Sequence, residues 1–456
     1  MHVEVKCALE WMAAHTVHEV REHRERMISW VEKEANRFKT TGACTDWLAQ
    51  CNADVKKVSA NVNGPLWVLL LDVCKHSDAK CPELFRNGPI VYQHLGVIAY
   101  FAMSRFCAGA PLFGTLGKAG IGETVVTKGL EPEHALRDKI MEHNRCLFDS
   151  LQDDPHEEEL MKLTKDDAVM GRMSEPVPGV NMSWCRKCIP LACPLVFVAA
   201  CSSAMESKLR EMRVHPRFAV EQGLKSASVF AAMMCLLTPS PHACICREDG
   251  KMKIRPVDHF SWSNVATRSR KRIKLNSVNG MTEVPEAIKH DHLDDLVASM
   301  TLLRRFVLLM FLSPHPPIIH ICICCCVRLT GETPALWKLD VDSAFRRIPL
   351  DVNHIWAAAV AFKYKGIPYV STHHATPFGA TSSVWSWERV GAAITHMARV
   401  ILKIPAHRYV DDLFGADRFV SCLLSLCMCK YAAQYYFCMC QERVCRARHE
   451  VCQKAC

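Results

Sequence analysis

Residues 407–417 read HRYVDDLFGAD, so Asp411 and Asp412 stand side by side inside a short apolar run. Two neighbouring carboxylates are costly in an apolar hairpin unless a cation neutralises them, because carboxylates leave water reluctantly. The apolar runs on either side are short enough to be two strands, and Gly415 follows closely. The stretch therefore predicts a β-hairpin whose tip carries two acidic groups that need a positive partner.

A third aspartate ends an apolar stretch far upstream. Residues 335–345, ALWKLDVDSAF, predict a buried strand that ends at Asp340, followed by a turn into a short helical stretch. If this strand pairs with the hairpin, the three carboxylates converge at one edge of a sheet. Mg²⁺ prefers oxygen ligands, and two such ions roughly 3.5–4 Å apart serve an in-line phosphoryl displacement. Convergent aspartates therefore predict a two-metal phosphoryl-transfer site.

The segment between these aspartates predicts the rest of the sheet and its helices. Residues 356–375 predict a β-hairpin that turns at YKG, 364–366, and residues 382–404 predict an amphipathic helix. The order is strand, helix, hairpin, helix, hairpin. This order is typical of an antiparallel sheet backed by helices, so we expect an α+β fold.

Four short motifs occur in a defined order along the chain. They are RPVD at 255–258, DVDSAF at 340–345, PFG at 377–379 and YVDD at 409–412. Each string is common by itself, but their order and their strand or helix contexts together make the chain resemble the reverse transcriptases of eukaryotic retroelements. The Tyr-x-Asp-Asp form favours RNA-directed DNA polymerases over viral RNA-directed RNA polymerases, in which Gly-Asp-Asp is commoner.

The resemblance implies a right-hand polymerase palm, an antiparallel sheet backed by helices, together with fingers and with the thumb absent or truncated. We therefore expect poor activity even if the carboxylates are well placed. The expected divisions are a mainly helical N-terminal region of unknown role at 1–170, a Cys-rich connecting region at 171–247, fingers at 248–300, an apolar Cys-rich insertion at 301–327, palm at 328–420 and a Cys-rich tail at 421–456.

The resemblance also implies a set of catalytic and metal-binding residues. Asp340, Asp411 and Asp412 would be catalytic, with Asp340 and Asp411 holding two Mg²⁺ ions and Asp412 assisting nearby. The carbonyl of Val341 would complete a metal shell. Mn²⁺ is the alternative ion.

Further residues are implied to bind the substrates. Lys253 and Arg255 would clamp the incoming triphosphate, since a guanidinium fork matches phosphate geometry. Phe345 would lie against the sugar and exclude a 2′-hydroxyl, or else it simply packs in the core. The nucleotide site would also include Pro377, Phe378 and Gly379, and Gly379 would let the backbone approach the nascent base pair. Tyr409 would support the primer end.

Positive charge is concentrated in residues 251–280, which carry +7 of the net +9 of the 456-residue chain. Such a concentration is suited to phosphate binding. Within it we assign template and primer contacts to Arg268, Arg270, Lys271, Arg272 and Lys274. Two alternatives stay open for this segment, a solvated loop and the nuclear-import run RSRKRIK at 268–274.

The 26 cysteines are unevenly placed, and nineteen of them fall in the patches 185–201, 235–246, 322–326 and 422–456. A disulfide framework is typical of small secreted folds, which this chain is not. The patches interrupt the motif pattern, so we hypothesise that they are translated introns or a frame-shifted end. The alternative is a zinc site built on CRKC at 185–188, although a second tight cysteine or histidine pair is missing.

The sequence thus predicts a truncated retroelement reverse transcriptase, a magnesium-dependent nucleotidyltransferase. Its partners would be an RNA template, a DNA primer and deoxynucleoside triphosphates, while protein partners stay unknown. The alternative is a catalytically inactive relic that at most binds nucleic acid. The amino end is charged and unlike a signal peptide, and the apolar windows are short or broken, so we expect a nuclear or cytoplasmic protein that does not span a membrane.

Overall fold

The computed structural model describes residues 2–49, 51–85, 109–126, 136, 140–178, 211–222, 253–262, 277–312, 334–341 and 343–418. Its helices are α1 Val3–Ala13, α2 Val17–Thr40, α3 Ala43–Ala49, α4 Ala53–Ser59, α5 Gly64–Val73, α6 Ile140–Ser150, α7 Glu157–Val169, α8 Leu293–Leu312 and α9 Thr381–Val400. Its strands are β1 Gly114–Thr115, β2 Val177–Pro178, β3 Val214–Gln222, β4 Lys253–Asp258, β5 Thr282–Glu283, β6 Pro334–Asp340, β7 Ala359–Tyr364, β8 Ile367–Thr372, β9 Ala406–Tyr409 and β10 Asp412–Arg418. Within these ranges no helix has both the length and the apolarity that crossing a membrane requires.

A three-stranded antiparallel sheet, in the order β6-β10-β9, contains Asp340 and Asp412, and Asp411 lies in the turn between β9 and β10. The predicted hairpin around Asp411 and the predicted strand ending at Asp340 are both confirmed. Side chains alternate between the faces of this sheet. Trp337, Leu339 and Leu413 join the core that contains α9, whereas Leu336 and Phe414 pack with residues of α8 on the other face. The sheet is therefore packed between two helices.

A second sheet has the order β2-β8-β7-β3-β4. Strands β7 and β8 form the predicted hairpin, but it lies in this second sheet and not beside β6 as expected, and β7 pairs in parallel with β3. The turn residues Lys365 and Gly366 both have positive φ, 52° and 74°. This is the left-handed geometry of a tight two-residue hairpin turn. The mixed helices and sheets confirm the α+β class.

The N-terminal helices share a core with the three-stranded sheet. Hydrophobic residues of α2 and α5 belong to the same buried cluster as α9, β6 and β10. A buried ion pair adds to this contact, because Arg24 of α2 lies 2.7 Å from Asp417 of β10 and both side chains are fully buried. Arg24 also donates to the carbonyl of Leu402 at 3.1 Å. Helices α2 and α5 therefore support this sheet directly. The expected domain boundaries stay predictions.

A glycine loop at residues 119–122 is organised around one carboxylate. The amides of Ala119 and Gly120 donate to Oε1 of Glu286 at 3.1 and 2.8 Å, and those of Ile121 and Gly122 donate to Oε2 at 3.2 and 3.4 Å. Successive amides that point inward form an anion-binding nest. Here the chain supplies the anion itself, and the contact joins the loop to the segment before α8.

The first prediction concerns the buried ion pair. Arg24→Ala is expected to lower the free energy of unfolding by about 3–5 kcal/mol, because it leaves the Asp417 carboxylate buried without its guanidinium. Urea denaturation measures the change. The matched control is Arg21→Ala, which removes an exposed pair with Glu25 on the same helix and should cost less than about 0.5 kcal/mol. Equal losses in the two variants would contradict the proposed role of Arg24.

Candidate functional site

The strand register brings the predicted catalytic residues to one end of the three-stranded sheet. Asp412 pairs with Asp340 between β10 and β6, and with Tyr409 across the hairpin. The amide of Val341 donates to the carbonyl oxygen of Asp411 at 3.1 Å. Residues 340, 341, 411 and 412 are therefore neighbours although they are far apart in sequence.

The side chain of Asp340 lies outside the described residues. Among the side chains that are described, no group of three or more acidic, histidine or cysteine residues is arranged to hold a metal ion. The predicted magnesium site rests on the backbone register and stays a prediction.

Asp412 has a basic partner that we did not predict from the sequence. Its Oδ2 atom lies 2.7 Å from Nζ of Lys338, and the two side chains are 30% and 44% exposed. Lys338 precedes Asp340 by two residues in β6, so strand alternation assigns positions 338 and 340 to one face. This alternation is the sequence signal that could have identified Lys338.

The tip of the aspartate hairpin has an unusual backbone. Val410 has φ of +54°, a region that β-branched residues rarely occupy. Such a conformation costs of order 1–3 kcal/mol and persists where neighbouring structure imposes it. The indole Nε1 of Trp387, in α9, donates to the carbonyl oxygen of Val410 at 2.8 Å. Helix α9 therefore holds the backbone of the tip.

Aromatic contacts connect this tip to two other motifs. The ring of Trp387 lies 6.3 Å from that of Phe345, and Phe345 lies 5.2 Å from Phe378 in an edge-to-face arrangement. Phe345 is buried in the main core cluster. The core-packing alternative for Phe345 is therefore observed, and its contact with a sugar stays a prediction.

Gly379 is in close contact with the RPVD motif. It has φ of +91°, and a Cβ atom at this position would overlap the carbonyl oxygen of Asp258. Asn279 connects the same segment to α9, because it donates to the Gly379 carbonyl and accepts from the Thr381 amide, both at 2.8 Å. The close approach seen at Gly379 is to the protein's own backbone. Its approach to a base pair stays a prediction.

Asp258 is the centre of a buried charge network. Its carboxylate lies 2.9 Å from Nε2 of His373, 3.5 Å from Nε of Arg217 and 3.7 Å from Nη2 of Arg346. Arg346 also contacts Asp167 of α7. The network connects β3, β4 and the end of β8 with the segment that follows Asp340.

Burial and neighbouring charges act in opposite directions on these groups. Burial alone would raise the pKa of Asp258, but the charge of Arg217 and the hydrogen bond from His373 outweigh it and hold that pKa below the usual value. Burial lowers the pKa of His373 to about 4, despite the neighbouring Asp258. Burial also lowers the pKa of Arg346 to about 10. The folded protein therefore keeps His373 neutral and Asp258 ionised at neutral pH.

The remaining predicted site residues are described only in part. Lys253 begins β4 opposite Gln222, with its side chain outside the described residues, and Arg255 is half-buried opposite Val220. Tyr409 is 53% exposed, and its ring lies 5.1 Å from that of His290. Pro377 is buried. Arg268, Arg270, Lys271, Arg272 and Lys274 lie outside the described residues.

Arg408, next to Tyr409, is a further positioning residue that we did not predict. It is buried, and its Nη2 atom lies 2.6 Å from Oε1 of Glu388 in α9. Its side chain lies against Gly391, where a Cβ atom would approach within 2.8 Å of Arg408. Arg408 therefore fixes β9 on α9 immediately before the exposed Tyr409.

Comparisons with known proteins give a structural likeness but no sequence match. No family model matches the sequence, and no curated protein matches it. The fold is similar to that of the prototype foamy virus protease-reverse transcriptase, with a TM-score of 0.29 and 12% identity, over 63% of this chain and 23% of that one. The chain thus spans less than a quarter of that protein. At this TM-score the likeness is weak.

Gly379 provides the second prediction. Gly379→Ala is expected to lower the free energy of unfolding by about 3 kcal/mol, because the new Cβ overlaps Asp258 in addition to the strain of a positive φ. Gly366→Ala is the matched control, since it also has a positive φ but has no heavy atom within 4 Å of its Cβ, and it should cost about 1 kcal/mol. Urea denaturation of both variants measures the difference. Equal losses would show that the contact with Asp258 does not constrain position 379.

His373 provides a third prediction, on pH dependence. Its pKa is about 4 when folded and near its ordinary value of 6.5 when unfolded, so the unfolded state binds more protons between these values. Its contribution to stability is therefore complete above pH 6.5 and is lost as the pH falls towards 4. As the pH falls through this range, the free energy of unfolding of His373→Gln should therefore decrease less steeply than that of wild type, by up to about 1 kcal/mol per pH unit. The control is His18→Gln, which changes an exposed histidine, and its free energy of unfolding should have the same pH dependence as that of wild type. A pH dependence of His373→Gln that is parallel to wild type would contradict the role assigned to His373.

Proposed function

We propose that this chain carries the fingers and palm of a retroelement-type RNA-directed DNA polymerase. Its reaction would be attack of a primer 3′-hydroxyl on the α-phosphorus of a deoxynucleoside triphosphate, templated by RNA. The observation that carries the proposal is the register that sets Asp340 opposite Asp412 and beside Asp411. It supports the arrangement that the Asp-x-x-x-Ala-Phe and Tyr-x-Asp-Asp motifs imply.

The donor set suits a magnesium site. Three carboxylates, of Asp340, Asp411 and Asp412, and the carbonyl of Val341 are the hard oxygen ligands that Mg²⁺ and Mn²⁺ prefer. Asp411 and Asp412 are partly exposed, so ions from solvent can reach them. Two bound ions would lower the pKa of the attacking hydroxyl and stabilise the leaving pyrophosphate.

The chain's own residues would orient the substrates around these carboxylates. Trp387 holds the hairpin tip at Val410, so the backbone that carries Asp411 and Asp412 is fixed on α9. A fixed position matters because catalysis depends on groups that are placed before the reaction begins. Tyr409 is exposed beside the aspartates, which suits contact with a primer end.

The fingers residues would act from the neighbouring sheet. Lys253 and Arg255 lie on β4, whose last residue, Asp258, is anchored to His373 and touches Gly379. These contacts connect the strand that would carry the triphosphate clamp to the start of α9. The basic segment at 268–274 would bind the phosphates of template and primer.

Primer extension tests the proposal, and it is the fourth prediction. The 456-residue chain, supplied with an RNA template, a DNA primer, Mg²⁺ or Mn²⁺ and labelled deoxynucleotides, should incorporate the label into the primer. Asp411→Asn keeps the side-chain shape but removes the charge, and we expect incorporation to fall by about 100-fold or more. Asp153→Asn is the matched control, because it changes an exposed aspartate paired with Lys363 on the other sheet and should retain activity.

The same assay addresses the inactive relic. Incorporation by wild type that is lost in Asp411→Asn supports the polymerase. No incorporation by either protein, with RNA binding retained, would overturn the polymerase and support a relic that only binds nucleic acid. Circular dichroism of each variant shows whether the protein is folded.

A further inference from the structure

Lys338 lies at the candidate metal site, although none of the sequence motifs includes it. In the register of β6 and β10, Asp412 is opposite Asp340 and Phe414 is opposite Lys338. Lys338 is thus the diagonal neighbour of Asp412, a separation that a long side chain can cross. The ammonium does cross it, and Nζ lies 2.7 Å from Oδ2 of Asp412.

The ion pair between Lys338 and Asp412 is well suited to separation, so that another cation can replace Lys338. Both side chains are partly exposed, at 44% and 30%, so water can solvate either group when the two separate. Exposed pairs contribute little to stability. This differs from the pair of Arg24 with Asp417, which is fully buried. Lys338 can therefore leave Asp412 at low cost, whereas Arg24 cannot leave Asp417.

A lysine in this position opposes a divalent ion in two ways. It occupies an oxygen of Asp412 that a metal would use, and its positive charge repels a cation bound to the neighbouring carboxylates. Glu388 and Asp291 both contact Arg408 of the hairpin, but their carboxylates are already paired, Glu388 with Arg408 and Asp291 with Arg399. The positive charges of Lys338 and of a metal therefore compete for the same aspartates.

We infer that Lys338 is a built-in competitor of the divalent metal at Asp412. It neutralises the carboxylate in the metal-free protein and sets how much divalent ion is needed to replace it. This inference rests on the proposed function, because it assumes that Asp411 and Asp412 hold metal. It adds a control on metal loading that the motif residues do not provide.

Mn²⁺ binding to the full chain, followed by electron paramagnetic resonance of the free ion at constant ionic strength, tests the inference. Lys338→Met keeps the length of the side chain and removes its charge. It should lower the dissociation constant of the Asp411-dependent Mn²⁺ binding by about 3- to 10-fold. Lys338→Arg keeps the charge and should stay within about twofold of wild type. Lys363→Met, which removes the partner of Asp153 on the other sheet, should not change binding.

Asp411→Asn defines which part of the binding belongs to the site, and thermal unfolding of each variant shows that it is folded. Asp411-dependent binding that is equal or weaker in Lys338→Met would overturn the role of Lys338 alone. Absence of such binding in both wild type and Lys338→Met would overturn this inference and the metal site together. Tighter binding in Lys338→Met with Lys338→Arg unchanged supports the inference.

Discussion

The antiparallel pairing of β6 with β10 is the constraint on which the site depends. Seven residue pairs align these strands, from Asp340 with Asp412 to Pro334 with Arg418. A slip of one residue would move Trp337 and Leu339 out of the core and bring Lys338 into it, because side chains alternate between faces. The free energy of burying the apolar face therefore also aligns the two aspartates. Core packing and site geometry have the same physical origin.

Helix α9 transmits this alignment to the rest of the site. Its Trp387 bonds the strained tip at Val410, its Glu388 fixes Arg408, and its start is tied through Asn279 to Gly379. The N-terminal helices pack against the same core cluster. A hairpin tip with a valine at positive φ needs such support, because the local backbone alone would favour another conformation.

Buried charges hold the larger parts of the fold together. Arg24 with Asp417 and the network around Asp258 join segments that are distant in sequence. Burying ions costs solvation free energy, so such contacts add little net stability to the folded protein. Removing one partner nevertheless destabilises the fold severely, because it leaves the other charge buried and unpaired. Such contacts therefore favour one arrangement of the elements over alternatives. The exposed pair of Lys338 with Asp412 is of the opposite kind, and this difference suits it to exchange with a metal.

Local features were predictable from the sequence. The strand ending at Asp340, the turn at YKG, the α9 helix and the aspartate hairpin follow from apolar periodicity and turn chemistry, which act between residues close in the chain. Contacts between distant segments were not predictable in this way. The Lys338 pair, the Trp387 bond and the Arg24 pair depend on which strands and helices become neighbours. Periodicity assigns a residue to a face, but only packing of the whole chain selects what that face meets.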